Sequence, residues 1–216
     1  MNEKIKILAN ANYKRFCYLD GSDYIASEFA LETILKLLQQ FRLKKVLELG
    51  LGIGSICDTV LKFNHNNNLG IRYFGTENND FCLSVLPKNV ICYEHINLYL
   101  KLEEVEKDNF DFIIIDGSDE SIKNIRDYCG KHAVIFIEGD RKTQTQTILD
   151  IFPGGLYVDV ITLEKNPSYA HEGRSIHSYK GGGKLIFINP TIWMKIYWAK
   201  EKNLTFVKRK IRKIIK

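Results

Sequence analysis

The sequence has 216 residues, of which 45% are hydrophobic and 26% charged, and this is the composition of an ordinary globular protein. Its length predicts one domain with an extension, and no apolar run reaches the roughly 20 residues that a membrane-spanning helix needs. The five cysteines are odd in number and include no C-x-x-C pair, which argues against a disulfide framework or a thiolate zinc site. The first 15 residues lack the continuous hydrophobic region of a secretory signal, so we expect a cytoplasmic protein.

The positive charge is concentrated at the C-terminus. The chain has a net charge of +5, but residues 195–216 contain nine Lys or Arg and a single acid, a net charge of +8, which leaves −3 for residues 1–194. A mildly acidic body lacks the basic excess that dominates non-specific binding to nucleic acid. We therefore expect no nucleic-acid binding by the body.

Helices and strands are predicted to alternate along the first half of the chain. A helix at 24–41, with Ser22 or Asp23 as its N-cap, precedes a buried strand at 46–49. The elements predicted next are a helix at 55–63, a surface turn at 64–70, a strand at 71–77, a helix at 80–86, a strand at 90–93 and a helix at 98–105.

The second half continues this alternation. The segment 110–116 is apolar on both faces, which predicts a strand in the centre of a sheet. The elements predicted after it are a crossover at 121–128, a strand at 133–137, a helix at 143–152 and an antiparallel pair of strands at 157–163 and 184–188. The pattern predicts an α/β fold, a Rossmann-like, doubly wound, mostly parallel seven-stranded sheet that ends in this pair. We assign residues 1–192 to one domain, with an N-terminal helical segment at 1–45.

A glycine-rich turn follows the first predicted strand. Glu48, Gly50, Gly52 and Gly54 form the pattern E-x-G-x-G-x-G between a strand and a helix. A dinucleotide fingerprint is G-x-G-x-x-G, and here Ser55 occupies the position of its third glycine. An acid just before the first glycine suits a cationic ligand better than a pyrophosphate. A dinucleotide-dependent enzyme remains the alternative.

The same residues resemble motif I of the class I S-adenosylmethionine-dependent methyltransferases. In that family the turn wraps the methionine part of the cofactor, so the resemblance implies that Glu48, Gly50, Gly52 and Gly54 bind S-adenosylmethionine. It also implies that Glu77, which ends the second strand, accepts hydrogen bonds from the ribose hydroxyls. Asn97, placed after the third strand, corresponds to a position that contacts adenine, and Asp116 closes the adenine or methyl side. The resemblance covers residues 22–140.

The segment 110–117, F-D-F-I-I-I-D-G, is similar to the fourth strand of the small-molecule O-methyltransferases. In the cation-dependent members, acids at the ends of the fourth and fifth strands hold Mg²⁺, which makes Asp116 and Asp140 candidate catalytic residues or metal ligands. That subgroup has an Asp-Asn pair after the fifth strand, whereas this chain has Glu138 to Arg141, so we assign no metal. The alternative is that Asp116 caps a turn and Asp140 pairs with Arg141 or Lys142.

The polar, glycine-rich segment 166–183 is a candidate active-site lid. It contains His171 and His177, and a histidine that titrates near neutral pH suits the role of a general base. We favour His177 because it lies nearer to the following strand. The alternative is an exposed hairpin loop.

The tail, residues 193–216, has the spacing of a basic amphipathic helix. Binding to an anionic membrane surface, which would place the protein at the inner face of the membrane, competes with docking on the body, a homodimer contact and a grip on RNA. For the whole chain we expect O-methylation of a hydroxyl on a small molecule or saccharide. The alternatives are a tRNA or rRNA methyltransferase that uses the tail and a non-catalytic nucleotide-binding module.

Overall fold

The computed structural model describes residues 2–117, 120–171 and 175–215, so residues 172–174 of the predicted lid lie outside the described residues. The helices are α1 (Asn2–Cys17), α2 (Glu28–Phe41), α3 (Ser55–Asn67), α4 (Asp80–Asn89), α5 (Lys142–Ile151) and α6 (Ile192–Ile214). The strands are β1 (Lys45–Leu49), β2 (Arg72–Thr76), β3 (Ile96–Tyr99), β4 (Phe110–Ile115), β5 (Cys129–Glu138), β6 (Leu156–Ile161) and β7 (Gly182–Phe187).

All seven strands form one sheet in the order β3-β2-β1-β4-β5-β7-β6. The first five strands in this order run parallel, whereas β7 is antiparallel to both β5 and β6. The sheet therefore confirms the predicted doubly wound α/β fold with its C-terminal antiparallel pair. β4 occupies the centre of the sheet, as its apolar sequence predicts.

A hydrophobic core covers each face of the sheet. In β4, Phe112 and Ile114 belong to the core on one face, and Ile113 and Ile115 belong to the core on the other. This division follows from the two-residue repeat of a strand, in which successive side chains point to opposite faces. Helices α1 to α4 pack on the first face and α5 packs on the second.

The start of α2 differs from the prediction. The helix begins at Glu28 because Ser27, not Ser22 or Asp23, is its N-cap: the Oγ of Ser27 accepts a hydrogen bond of 3.3 Å from the nitrogen of Ala30. Ser22–Tyr24 form a short 3-10 helix. This shift matters for the site because it leaves residues 23–25 outside the helix.

Three further predictions near β2 and β3 were wrong. Helix α3 continues to Asn67, through the asparagines that predicted a surface turn. The third strand lies at Ile96–Tyr99 and not at 90–93, because Val90 is the buried C-cap of α4 and the alternation of Ile96 and Leu98 fits the sheet. The predicted helix at 98–105 is reduced to the short 3-10 helix Leu102–Glu104.

The C-terminal segment docks on the edge of the sheet. The Trp198 indole donates a hydrogen bond of 2.7 Å to the carbonyl oxygen of Tyr157, and the Thr205 hydroxyl donates one of 2.6 Å to that of Asp159. Tyr157 and Asp159 are two positions apart in β6, the edge strand, so their carbonyl groups point to the same side, away from β7. Helix α6 therefore provides hydrogen bonds to carbonyl groups that no neighbouring strand reaches. Among the described residues, none of the helices is both long and apolar enough to cross a membrane.

Candidate functional site

A crevice of about 540 Å³ lies over the carboxyl ends of the parallel strands. Ligands of doubly wound α/β proteins bind at this edge of the sheet, where the loops after several strands converge. The loops that line the crevice follow β1, β2, β3, β4 and β5, and its outer wall is the segment Asp23 to Ile25. The crevice is therefore the first candidate for a ligand site.

The glycine turn forms the floor of this crevice. Gly50 has a φ of 88°, and a Cβ atom at this position would lie 2.6 Å from the main-chain nitrogen of Gly117. Gly52 has a φ of 54°, and a Cβ atom there would overlap the carbonyl oxygen of Tyr24. Both positions need glycine because other main-chain segments pass so close to them. Gly54 instead begins α3 and packs toward Val90, and it is not part of the described crevice wall.

Glu77 joins the loop after β2 to the glycine turn. Its Oε2 atom accepts a hydrogen bond of 2.6 Å from the nitrogen of Gly52, and its Oε1 atom accepts bonds of 2.9 Å from the nitrogens of Asn78 and Asn79. Three bonds leave acceptor capacity on Oε2, since an ionised carboxylate offers about four lone-pair sites. The side chain lines the crevice, as its predicted role requires.

Glu48 lies beneath the turn and not in the crevice. The side chain is fully buried, its Oε2 atom accepts a hydrogen bond of 2.5 Å from the Tyr73 hydroxyl, and its Oε1 atom has no hydrogen-bond partner among the described residues. Burial raises the pKa of Glu48 well above its ordinary value, and the nearby charges of Asp116 and Glu77 raise it further. The expected direct contact of Glu48 with a ligand is thus corrected to a position behind the glycines.

Asp116 and Arg141 form an ion pair in the wall of the crevice. A guanidinium nitrogen of Arg141 lies 3.0 Å from the Oδ1 atom of Asp116 and also donates to the main-chain oxygen of that residue. The Nε atom of Arg141 is buried and has no hydrogen-bond partner among the described residues. The crevice is therefore lined by two basic residues, Lys101 and Arg141, beside four acids, Asp23, Glu77, Asp116 and Glu138.

Asp140 was expected to join Asp116 but lies apart from it. Asp140 lines a second cavity of about 840 Å³ between α5, β6 and α6, and its Oδ1 atom lies 2.9 Å from the ammonium of Lys184. That contact holds the pKa of Asp140 below its ordinary value. Asp116 and Asp140 are thus paired with different cations, and no cluster of three metal-ligating side chains occurs within 2–117, 120–171 and 175–215. The candidate metal pair and the catalytic role of Asp140 are not supported by this geometry.

Asn97 also lies outside the crevice. It is within β3 and not after it, its Nδ2 atom donates a hydrogen bond of 2.9 Å to the oxygen of Tyr73, and its side chain lines a separate cavity with His95. The residues that do follow β3 and line the crevice are Leu100 and Lys101. The sequence did not identify these two residues because the third strand was predicted at 90–93, too early in the chain.

The two lid histidines have opposite environments. The side chain of His171 is only 11% exposed, and its Nδ1 atom lies 3.4 Å from the Oδ1 atom of Asp23, a crevice residue. His177 is exposed to solvent, and its carbonyl oxygen accepts a hydrogen bond from Lys165. Of the two candidate bases, His171 lies beside the crevice, and His177, which the sequence favoured, is not among the residues that line it.

Glu138 is a crevice residue that the sequence placed near the strand ends without giving it a role. It ends β5, and its Oε1 atom accepts hydrogen bonds from both the hydroxyl (2.8 Å) and the main-chain nitrogen (3.3 Å) of Ser27. Ser27 is also the N-cap of α2, so one residue fixes both the helix and the carboxylate. An acid at the end of a parallel strand was the available signal, and Glu138 has the same signal as Glu77.

The chain resembles known proteins in its fold and not in its sequence. No protein-family profile matches the sequence, and no curated protein matches it. Solved structures that superpose on the chain include a precorrin-6y C5,15-methyltransferase from Geobacter metallireducens, with 14% identity over 79% of this chain and 96% of the other and a TM-score of 0.54. An O-methyltransferase from Bacillus cereus in complex with SAH has 12% identity, coverages of 83% and 90%, and a TM-score of 0.55.

The chain has the class I methyltransferase fold. The sheet order β3-β2-β1-β4-β5-β7-β6 is typical of that fold, and a putative O-methyltransferase from Klebsiella pneumoniae shares it at 14% identity, with coverages of 86% and 90% and a TM-score of 0.55. The fold therefore agrees with the family resemblance of the glycine turn. Gly50, Gly52, Glu77 and Asp116, which carried that resemblance, all line the crevice.

Proposed function

We propose that this protein is an S-adenosylmethionine-dependent methyltransferase that methylates a hydroxyl group of a small molecule or saccharide. The observation that carries the proposal is the crevice itself. Gly50 and Gly52 expose the main chain to the crevice, and the carboxylates of Glu77, Asp116 and Glu138 line it. The charges of Asp116 and Glu77 also raise the pKa of the buried Glu48.

The charges of the crevice suit this cofactor. S-adenosylmethionine has a cationic ammonium and sulfonium and one carboxylate, whereas a dinucleotide has two negative phosphates. An excess of acids favours the former, and the buried Nε–H of Arg141 is a donor that a carboxylate would satisfy. The bound cofactor would supply a methyl group on a positively charged sulfur.

Individual residues would hold the parts of the cofactor. The remaining acceptor capacity of Glu77 would serve a ribose hydroxyl, and Gly50 and Gly52 would let the amino-acid part approach the main chain. Leu100, which is 53% exposed in the crevice wall, would give the adenine an apolar surface in place of the predicted Asn97. Glu48 would support the turn from behind, where its Oε2 atom accepts the hydrogen bond from the Tyr73 hydroxyl.

A hydroxyl acceptor needs a group that takes its proton. Glu138 suits this role because Ser27 holds one carboxylate oxygen and the side chain reaches the crevice. His171, held beside Asp23 at the outer wall, is the second candidate. Several solved structures with this fold are of known or putative O-methyltransferases, including one from Streptomyces achromogenes involved in tomaymycin synthesis, which supports a hydroxyl acceptor.

The decisive experiment is a calorimetric titration of the full chain with S-adenosylhomocysteine, S-adenosylmethionine and NAD. We expect both sulfur compounds to bind and NAD not to bind. Binding of NAD alone would contradict the proposal. A screen of hydroxylated small molecules and saccharides for methylated product would then identify the acceptor class, and tight cofactor binding with no product from any acceptor would favour a non-catalytic module.

A further inference from the structure

Helix α6 uses one face to dock on the sheet. The residues of this docked face are Met194, Trp198, Thr205, Lys208 and Arg212, which recur at the three- and four-residue spacing of a helix face. Met194 and Thr205 are buried, and the ammonium of Lys208 donates a hydrogen bond of 2.7 Å to the carbonyl oxygen of Ile161. Docking therefore fixes which side of α6 points outward.

A second row of residues on α6 carries apolar side chains into solvent. This outward row consists of Trp193, Ile196, Leu204, Val207 and Ile214. Three of its members, Trp193, Leu204 and Val207, each precede a residue of the docked face by one position, which places them about 100° away from it around the helix. Trp193 is 75% exposed and Ile214 is 83% exposed. Exposed apolar side chains that share one face of a helix mark an interaction surface.

Lysines flank the outward row. Lys195, Lys200, Lys202, Lys210 and Lys213 are all exposed, and residues 192–215 contain eight basic residues against the single acid Glu201, a net charge of +7. The combination of an apolar row, a terminal tryptophan and flanking lysines is the composition of helices that lie in the interface of an anionic bilayer. The lysine heads reach phosphate groups while their aliphatic stems stay beside the acyl region.

We infer that the outward row of α6 binds the surface of an anionic lipid membrane, with the helix parallel to the bilayer plane. Two other occupants fit less well. A second copy of this chain would bring two helices together that each have a net charge of +7, and RNA would leave the apolar row without a partner, because phosphate contacts are made by polar and basic groups.

The two tryptophans of the chain allow a direct optical test. Trp193 belongs to the outward row, whereas Trp198 is held against Tyr157 in the docked face. In the Trp198→Phe variant, fluorescence reports Trp193 alone, and we expect a blue shift and protection from aqueous quencher when vesicles with about 30% phosphatidylglycerol in phosphatidylcholine are added. In the matched Trp193→Phe variant, fluorescence reports Trp198 alone and should not shift.

Sedimentation of the full chain with the same vesicles measures the affinity. We expect the Val207→Ser and Ile214→Ser double variant to lower the partition coefficient by about tenfold or more, since two apolar side chains no longer enter the membrane. Each exposed lysine replaced by Gln, such as Lys200→Gln or Lys213→Gln, should lower it by about fivefold at low salt. The Ile7→Ser and Ile91→Ser double variant is the control, because both side chains are exposed apolar residues outside α6.

Three results would overturn the inference. The first is equal binding to pure phosphatidylcholine and to anionic vesicles, and the second is an equal loss of binding in the Ile7 and Ile91 control. The third is a dimer in sedimentation velocity, or a tight complex with a single-stranded RNA oligonucleotide, that the Val207 and Ile214 changes abolish. Binding of S-adenosylhomocysteine, measured in parallel, should be unchanged in all these variants, so failure here is separable from failure of the proposed function.

Discussion

The Oε2 atom of Glu77 accepts a hydrogen bond of 2.6 Å from the main-chain nitrogen of Gly52, across 25 positions of sequence. This contact ties the acid that ends β2 to the glycine turn after β1. The two sequence features that suggested a cofactor site are therefore a single structural unit. A substitution at either residue should therefore also disturb the position of the other.

The Glu77→Gln variant should bind S-adenosylhomocysteine at least about tenfold more weakly. The amide retains the shape of the side chain but replaces one acceptor oxygen with a donor, and the lost charge-assisted hydrogen bonds are each worth roughly 1.5 kcal/mol or more. Isothermal titration calorimetry measures the change. The Glu94→Gln control removes an exposed acid outside the crevice and should leave the affinity unaltered.

The stability of the protein should depend on pH through Glu48. Burial raises the pKa of Glu48 well above its ordinary value of 4.5, so the folded state holds this proton more tightly than the unfolded chain does. The resulting stabilisation is complete below the unfolded pKa and is lost as the pH rises toward the folded pKa.

The Glu48→Gln variant tests this dependence, because its amide cannot ionise. We expect melting temperatures close to wild type at about pH 4 and an advantage of several degrees for the variant at about pH 8, measured by circular dichroism. A wild-type melting temperature that rises relative to the variant with increasing pH would show that Glu48 is ionised in the folded protein.

Gly52→Ala should abolish cofactor binding and lower stability more than Gly70→Ala. Both glycines have a positive φ, 54° and 68°, so both variants have a similar backbone strain of about 1–2 kcal/mol. Only at Gly52 does the new Cβ atom meet a neighbour, the carbonyl oxygen of Tyr24, whereas at Gly70 it meets open space. Thermal melts and calorimetry of the pair isolate the cost of this close approach. Equal losses would show that the Tyr24 segment moves aside freely.

Glu138→Gln should lower kcat by about 100-fold once an acceptor is known, because removal of a general base typically costs this much or more. The dissociation constant for S-adenosylhomocysteine should stay within about threefold of wild type, since the amide oxygen can still accept from Ser27. His177→Gln, at an exposed position, is the control and should leave kcat unchanged. If His171→Gln lowers kcat and Glu138→Gln does not, the base is His171.

Thr205→Val should destabilise the protein by about 1 kcal/mol, because the carbonyl oxygen of Asp159 loses the hydroxyl that caps it at the sheet edge. Thr147→Val is the matched control, since that exposed hydroxyl bonds only to Thr143 within its own helix. Urea unfolding measures both. A control loss as large as that at Thr205 would argue against edge capping by α6.

Local patterns were sufficient to predict most elements and several of the residues that line the crevice. The run Phe110 to Ile115 is apolar at every position except Asp111, so it could only be a central strand, and its acid-glycine end predicted a loop at the ligand edge. Gly50, Gly52 and Glu77 were found because the ends of buried strands have strong local signals. The third strand was misplaced because Val90 and Cys92 have the alternation of a strand but pack around the end of α4.

By itself, the sequence determined the alternation of helices and strands, the glycine turn and the acid that follows β2, since each depends on neighbours within a few positions. Only the tertiary structure decided that Glu138 meets Ser27, 111 positions away, and that Asp140 turns from Asp116 to Lys184. It also decided which face of α6 covers β6 and which stays exposed. Such contacts depend on the position of each loop relative to the whole sheet, and packing between residues distant in sequence fixes that position.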